Sequence, residues 1–85
     1  MKVIEKTSVF TKDFKKLPAP IQKEVWKTVC ILQDNVFDRR LDIKKLEGYK
    51  NTWRVRVKRL YRLIYTFDKG HIYLLRVRHR KEIYR

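Results

Sequence analysis

Residues 52–58 read Thr-Trp-Arg-Val-Arg-Val-Lys, and in this stretch apolar side chains alternate with basic ones. A period of two residues predicts a β-strand that buries one of its faces. Residues 60–67 and 71–77 predict two more strands, because they are rich in β-branched and aromatic residues. The Asp-Lys-Gly at positions 68–70 predicts a hairpin turn between them. Residues 52–77 are therefore predicted to form an antiparallel meander.

The residues before the meander predict one strand and two amphipathic helices. Residues 2–6 contain two β-branched residues and predict a short strand. Thr7 and Ser8 are common helix caps, and apolar residues then recur at spacings of four and three as far as Leu17. Pro20 is placed to open a second helix. The apolar stripe of that helix consists of Ile21, Val25, Val29, Leu32 and Val36.

The order of these elements predicts an α+β fold with a single domain over residues 1–85. An N-terminal strand and the C-terminal three-stranded meander form a mostly antiparallel sheet, and both helices pack on one face of it. Residues 35–51 lose all periodicity, so they predict an irregular connection anchored by Leu41, Ile43 and Leu46.

The charge of the chain predicts an anionic partner. It contains 23 Lys and Arg against 9 Asp and Glu, which gives a formal net charge of +14 at pH 7. Nucleic acid is the first candidate, an acidic protein segment the second and a membrane surface the third. The single cysteine excludes an internal disulfide and favours the reducing cytoplasm. We expect neither an export signal nor a membrane span, because apolar runs are short.

Basic residues concentrate on one predicted face of the meander. The residues at even positions that would share this face are Arg54, Arg56, Lys58, Arg62, Arg76 and Arg78, with Arg80 just beyond. Arginine binds phosphate through paired hydrogen bonds and stacks on bases, so the pattern favours RNA or DNA. Tyr61, Tyr65 and Tyr73 lie at odd positions, where we expect core packing rather than base stacking. Tyr84 lies outside the alternation.

The inventory of reactive side chains is small. The sequence suggests no carboxylate pair, no Ser-His-Asp set and no glycine-rich phosphate loop. His71 and His79 are too few for a histidine-based metal site, so we expect no metal or cofactor. Cleavage of RNA by its own ribose hydroxyl needs the fewest reactive side chains from the protein, because the substrate supplies the nucleophile. Arginine would stabilise the phosphorane, and proton transfer would fall to Tyr84, His79 or Lys58.

Four segments, in order, resemble a known toxin family. They are Lys45-Leu46-Glu47-Gly48-Tyr49, Trp53-Arg54-Val55-Arg56-Val57, Tyr61-Arg62-Leu63-Ile64-Tyr65 and Arg76-Val77-Arg78-His79-Arg80-Lys81-Glu82-Ile83-Tyr84. This combination is similar to RelE-type toxins of the RelE/ParE superfamily. The resemblance covers nearly the whole chain, because residues 14–18 also resemble the usual end of the family's first helix. It implies a toxin of a type II toxin-antitoxin pair that enters the ribosomal A site and cleaves the messenger RNA there, with an acidic antitoxin as its partner.

The resemblance also implies roles for individual residues. The implied catalytic residues are Arg54, Arg56, Arg62, Arg80 and Tyr84. The pattern of basic residues assigns RNA binding to Lys58, Arg76, Arg78 and His79. Arg78 is an alternative to Arg80, because the spacing to the final tyrosine varies in the family. Two features depart from the family: residues 58–60 replace a glycine-containing turn, and Arg78 replaces a glycine before the histidine. Arginine at positions 54 and 56 stands where known ribonucleases of the group have lysine, so the general base stays open.

Two other functions fit the same sequence. A ParE-like toxin shares the fold and is expected to act on DNA gyrase as a binding protein, without ribonuclease chemistry. A plain nucleic-acid-binding module would hold RNA or DNA on the cationic face and cut nothing. The presence of Arg62, Arg80 and Tyr84 together favours the ribonuclease.

Overall fold

The computed structural model describes residues 1–83 of the chain. In chain order the elements are β1 (Val3–Lys6), α1 (Ser8–Lys15), α2 (Ala19–Asp34), β2 (Ile43–Lys45), β3 (Thr52–Val57), β4 (Tyr61–Phe67) and β5 (His71–His79). Their order confirms the predicted α+β fold.

The strands form one sheet in the order β1-β5-β4-β3-β2. The strands β3, β4 and β5 are antiparallel neighbours, as the meander predicts, whereas β1 pairs with β5 in parallel. The last strand continues to His79 instead of ending at Val77. The sheet is therefore mostly antiparallel, and the N-terminal strand lies at one edge.

Thr7 caps α1 and joins it to the sheet. Its side-chain oxygen accepts a hydrogen bond from the Phe10 N–H at 3.1 Å, and its hydroxyl donates to the Leu74 carbonyl oxygen at 2.9 Å. Pro20 lies in the first turn of α2, where its missing N–H breaks no helical hydrogen bond. Because α1 packs against β5 and α2 against β3, both helices cover one face of the sheet. No helix within residues 1–83 is long and apolar enough to cross a membrane.

The core lies between the helices and the sheet face that they cover. Its buried side chains are Phe10, Val25, Val29, Leu32, Val55, Val57, Leu63, Tyr65, Ile72, Leu74 and Val77. The hydroxyl of Tyr65 donates a hydrogen bond to the Val36 carbonyl oxygen at 2.7 Å, so its polar atom is paired inside the core. Trp26 is half-buried and contacts the rings of Phe10 and Phe14, which places it at the edge of the core.

The connection between α2 and β3 contains a strand that the sequence did not predict. The expectation of an irregular connection over residues 35–51 is wrong at β2, which pairs antiparallel with β3. A strand of three residues is too short to show alternation, and its position depends on backbone hydrogen bonds to β3. The ladder continues through the Leu46 N–H, which donates to the Thr52 carbonyl oxygen at 2.9 Å.

A β-bulge in β5 changes which side chains face the core. Ile64 of β4 pairs with Arg76 of β5. The next residue, Tyr65, pairs with Leu74, so Leu75 is an extra residue without a partner on β4. The odd positions of β5 therefore face the core only after the bulge, and the even positions face it before the bulge.

The bulge corrects the expectation for one of the three tyrosines. Tyr65 lies in the core and Tyr61 packs against its edge, as predicted. The prediction is wrong for Tyr73, which lies on the opposite face and donates a hydrogen bond from its hydroxyl to Asp68 at 2.8 Å. An inserted residue reverses the alternation, and a periodicity argument cannot locate it.

Candidate functional site

A group of arginines lies on the face of the sheet opposite the helices. We call it the arginine face, and it consists of Arg54, Arg56, Arg62, Arg76 and Arg78. The register places Arg62 at its centre, because Arg62 pairs directly with Arg56 on β3 and with Arg78 on β5. Like charges directly opposite one another destabilise a sheet, so this row requires negative charge nearby.

Two carboxylates stand at the ends of this row. At one end, Oδ2 of Asp42 lies 2.8 Å from Nη2 of Arg56. At the other end, Oδ1 of Asp13, which belongs to α1, lies 3.2 Å from Nε of Arg78. Each outer arginine is therefore held by an acidic residue.

The guanidinium of Arg62 is held by the turn between β3 and β4. Its Nη1 donates hydrogen bonds to the carbonyl oxygens of Arg59 at 3.1 Å and Tyr61 at 3.0 Å. Hydrogen bonds from a charged donor are stronger than those between neutral groups, so they fix the direction of this side chain. Arg62 is thereby directed towards the end of the sheet where the turn lies.

A pocket of about 530 Å³ opens at this end of the sheet. Its lining residues are Ile21, Arg56, Lys58, Arg59, Leu60, Tyr61, Arg62 and Arg80. Five of the eight are cationic, and four of those five, all except Arg59, are among the predicted site residues. Clustered cations beside an apolar wall suit a phosphate group that carries a sugar and a base.

Lys58 lines the pocket from the turn after β3 and not from the arginine face. The expectation that it shares the arginine face is wrong, because β3 ends at Val57 and Lys58 has a φ of 55° in the turn. Its Nζ lies 3.7 Å from Oε1 of Glu24 on α2. The turn reverses the chain at this residue, so strand alternation does not apply to it.

Arg80 lies in the turn that follows β5. Its N–H donates a hydrogen bond to the Leu60 carbonyl oxygen at 2.6 Å, which ties this turn to the turn between β3 and β4. The exposed side chain lines the pocket together with Arg62, whereas Arg78 does not line it. Of the two alternatives left by the sequence, Arg80 therefore shares the pocket. Tyr84, the remaining predicted catalytic residue, lies outside the described residues.

His79 caps the turn after β5. Its Nδ1 accepts a hydrogen bond from the Lys81 N–H at 3.1 Å, and its ring packs against the edge of Tyr61 at a centroid distance of 5.4 Å. An accepting Nδ1 carries no proton, so a neutral His79 has its proton on Nε2. Within residues 1–83 there is no group of three or more His, Cys, Asp or Glu side chains that could hold a metal ion.

Arg54 lies on the arginine face beside the row centred on Arg62. Its Nη1 is buried and has no hydrogen-bond partner among residues 1–83. A buried donor without a partner costs about 1–3 kcal/mol. Buried donors of this kind are found at functional sites, where a bound anion would supply the missing acceptor.

The acidic partners of the basic residues were not predicted from the sequence. These partners are Asp13, Asp42 and Glu24. A signal for Asp13 was available, since it follows Phe10 by three residues and precedes Leu17 by four, which places it on the apolar stripe of α1. A carboxylate at such a position is buried and needs a cation. No comparable pattern marks Asp42, which lies in the connection before β2.

Comparison with known proteins gives a consistent family. The family model described as the ParE toxin of the type II toxin-antitoxin system parDE matches residues 4–84. Toxin RelE3 of Methanocaldococcus jannaschii is 39% identical over 77 residues, which cover 88% of this chain and 86% of that protein.

Several solved structures with the same fold are complexes of a toxin with an antitoxin. The RelB-RelE antitoxin-toxin complex from Methanococcus jannaschii has 34% identity and a TM-score of 0.80, with 94% of each chain covered. The toxin-antitoxin complex RelBE2 from Mycobacterium tuberculosis has 28% identity and a TM-score of 0.77, with 93% of this chain and 98% of that chain covered. The chain therefore belongs to the RelE/ParE superfamily of type II toxin-antitoxin toxins, as a toxin of the RelE type.

Proposed function

We propose that the protein is an mRNA endoribonuclease that cuts on the ribosome without a metal ion and thereby inhibits translation. The observation that carries the proposal is the pocket at the end of β3 and β4, which gathers Arg56, Lys58, Arg62 and Arg80. The similarity to RelE-type toxins supports it, because cleavage of messenger RNA in the ribosomal A site is the activity expected of that group.

The proposed reaction is a transesterification within the RNA, and the cations of this pocket would stabilise its transition state. The ribose 2′ oxygen attacks the adjacent phosphorus, the bond from phosphorus to the 5′ oxygen breaks, and a 2′,3′-cyclic phosphate forms. Charge accumulates on the phosphorane oxygens during this step. The guanidinium groups of Arg56, Arg62 and Arg80 would stabilise it, a contribution of about 10²–10³-fold in rate for one well-placed donor.

Two protons must move, and arginine is a poor base for this purpose. Lys58 carries an ammonium group beside Glu24 and is assigned to protonate the leaving 5′ oxygen. Nδ1 of His79 already accepts a hydrogen bond from the Lys81 N–H, so His79 is not the base that we assign. We assign that role to Tyr84, which the resemblance to RelE-type toxins implies to be catalytic and which follows a cation-rich segment of the sequence, residues 76–81.

The remaining predicted residues are proposed to hold the RNA strand. Arg54, Arg76 and Arg78 lie on the arginine face, where phosphates of an extended strand would bind. His79 would contribute the N–H of Nε2 as a donor. The net charge of +14 would draw the protein to ribosomal and messenger RNA in the cytoplasm.

A partner is also proposed. The solved structures from Methanococcus jannaschii and Mycobacterium tuberculosis reported above are toxin-antitoxin complexes. We propose that this protein binds a cognate antitoxin with acidic segments, because clustered cations favour an acidic partner.

A second candidate function is inhibition of DNA gyrase. The observation that favours it is the matching family model, which describes a ParE toxin. A gyrase inhibitor would need a binding surface and no cleavage pocket. The gathering of five cationic residues in one pocket therefore favours the ribonuclease.

The test is to map messenger ends by primer extension in a translation extract. Wild type is expected to cut in codon phase and only on ribosomes, and Arg62→Gln and Tyr84→Phe are expected to lower the rate by about 10²-fold or more. Lys69→Gln removes one positive charge in the hairpin at the far end of β4 and serves as the control. Intact messenger in the presence of folded wild-type protein would refute the ribonuclease, and supercoiling by gyrase would then be assayed.

A further inference from the structure

Asp13 joins α1 to the arginine face. Its side chain is buried, with 5% of the residue exposed. Oδ2 accepts hydrogen bonds from Arg76 Nε at 3.1 Å and from the Val77 N–H at 3.2 Å. Oδ1 accepts from Arg76 Nη2 at 3.4 Å and lies 3.2 Å from Arg78 Nε. Both oxygens are therefore used by three consecutive residues of β5.

The sheet has an unpaired edge where Asp13 lies. β1 pairs with β5 only as far as Leu74, because Thr7 then begins the turn into α1. Within residues 1–83 no strand carbonyl lies opposite the Val77 N–H on this edge, and the Asp13 carboxylate supplies the acceptor instead. A buried carboxylate is tolerated only when it is paired and hydrogen-bonded, so the arginines on either side of Val77 are required as well.

The two arginines use the carboxylate differently. Arg76 donates both Nε and Nη2 to it, which commits one side of its guanidinium to the pair. Arg78 forms an ion pair with Oδ1 through Nε, and within residues 1–83 neither of its terminal nitrogens is hydrogen-bonded to Asp13, so they can still bind a phosphate. We infer that Asp13 is a positioning residue that orients Arg78 for binding RNA, an inference that rests on the proposed function.

The charge and the position of Asp13 predict opposite results when the carboxylate is removed. Asp13→Asn raises the net charge by one unit, and charge alone would strengthen RNA binding and cleavage. A positioning role predicts the reverse, since the guanidinium of Arg78 is released. A displacement of about 1 Å in a positioning group can lower a rate by about 100-fold.

A double-mutant cycle tests this inference. Wild type, Asp13→Asn, Arg78→Gln and the double variant are compared in ribosome-dependent cleavage and in binding of a short fluorescent RNA oligonucleotide. We expect each single substitution to lower kcat by about 10–100-fold and the double variant to be no slower than Arg78→Gln. Asp38→Asn is the control, because it breaks another Asp–Arg pair, 2.9 Å long, in the connection between α2 and β2. Thermal melting shows that each variant is folded at the assay temperature.

Each outcome decides the inference. Wild-type cleavage by folded Asp13→Asn, or effects of the two single substitutions that multiply, would overturn it. If Asp13→Asn does not fold, Asp13→Glu takes its place in the cycle, because it retains the charge and displaces the carboxylate by one methylene. A wild-type protein that binds RNA but cuts none would refute the proposed function alone. Coupling of Asp13 to Arg78 in RNA affinity would then uphold the positioning role, and additivity would overturn it.

Discussion

Replacing Tyr65 with phenylalanine removes one oxygen atom from the core. The side chain is fully buried, and its hydroxyl donates to the Val36 carbonyl oxygen at 2.7 Å. Burial raises the pKa of the Tyr65 hydroxyl well above its ordinary value of 10.0, as expected for a group that water does not reach. The substitution leaves the Val36 carbonyl without its partner. We expect the free energy of unfolding to fall by about 1–2 kcal/mol. In a domain of this size the Tm then falls by roughly 4–16 °C.

Tyr73→Phe is the matched comparison, because the strand alternation assigns both tyrosines to the core. The bulge places Tyr73 on the other face, where its hydroxyl bonds to the exposed Asp68. Circular dichroism melts at pH 7 should therefore show a smaller loss of Tm for Tyr73→Phe than for Tyr65→Phe. RNA affinity of folded Tyr65→Phe should equal that of wild type. Equal losses of Tm in the two variants would contradict the register of β5, and weakened RNA binding by Tyr65→Phe would contradict its assignment to the core.

Three further perturbations have defined outcomes. The hydroxyl of Tyr73 and the Gly70 N–H lower the pKa of Asp68 to about 2 from 3.8, so the stabilisation is complete above about pH 4 and is lost as the pH falls towards 2. The Tm of wild type should consequently fall more steeply than that of Asp68→Asn over that range, and parallel curves would count against this contact. Arg54→Met removes the buried Nη1, which has no hydrogen-bond partner within residues 1–83, so we expect an unchanged or higher Tm together with at least tenfold slower RNA cleavage, measured by melting and primer extension. Thr7→Ala removes the cap of α1 and should cost about 1 kcal/mol in urea unfolding, with cleavage retained at temperatures where the variant is folded.

The predicted elements follow from contacts between residues close in sequence. The alternation of residues 52–57 and the stripe from Ile21 to Val36 each record which side of an element is buried, so the sequence alone indicates type and order. The short strand β2 leaves no such record, because its partner is a backbone edge presented by β3. The hydrogen bonds of β2 come from its pairing with β3, and three residues are too few to show an alternation of apolar and polar side chains.

The candidate site was predictable only in part. The alternation of side chains along the strands predicted that Arg54, Arg56 and Arg62 share one face, and the register agrees. The same alternation wrongly placed Lys58 on this face, because the chain turns at a positive φ of 55° directly after β3. Alternation also could not decide whether Arg78 or Arg80 lines the pocket. That depends on how the turn after β5 packs against Leu60.

Composition, periodicity and motif order were enough to predict the fold class, the cationic character of one sheet face and the resemblance to RelE-type toxins. The reversal at the bulge, the pocket and the carboxylates that hold individual arginines follow from tertiary packing. Asp13 and Arg78 are 65 residues apart in the chain, and their ion pair of 3.2 Å exists because β1 leaves the sheet before β5 does. The local pattern of α1 marks Asp13 as buried, but it does not identify Arg78 as the partner, because that contact depends on the three-dimensional positions of two separate elements.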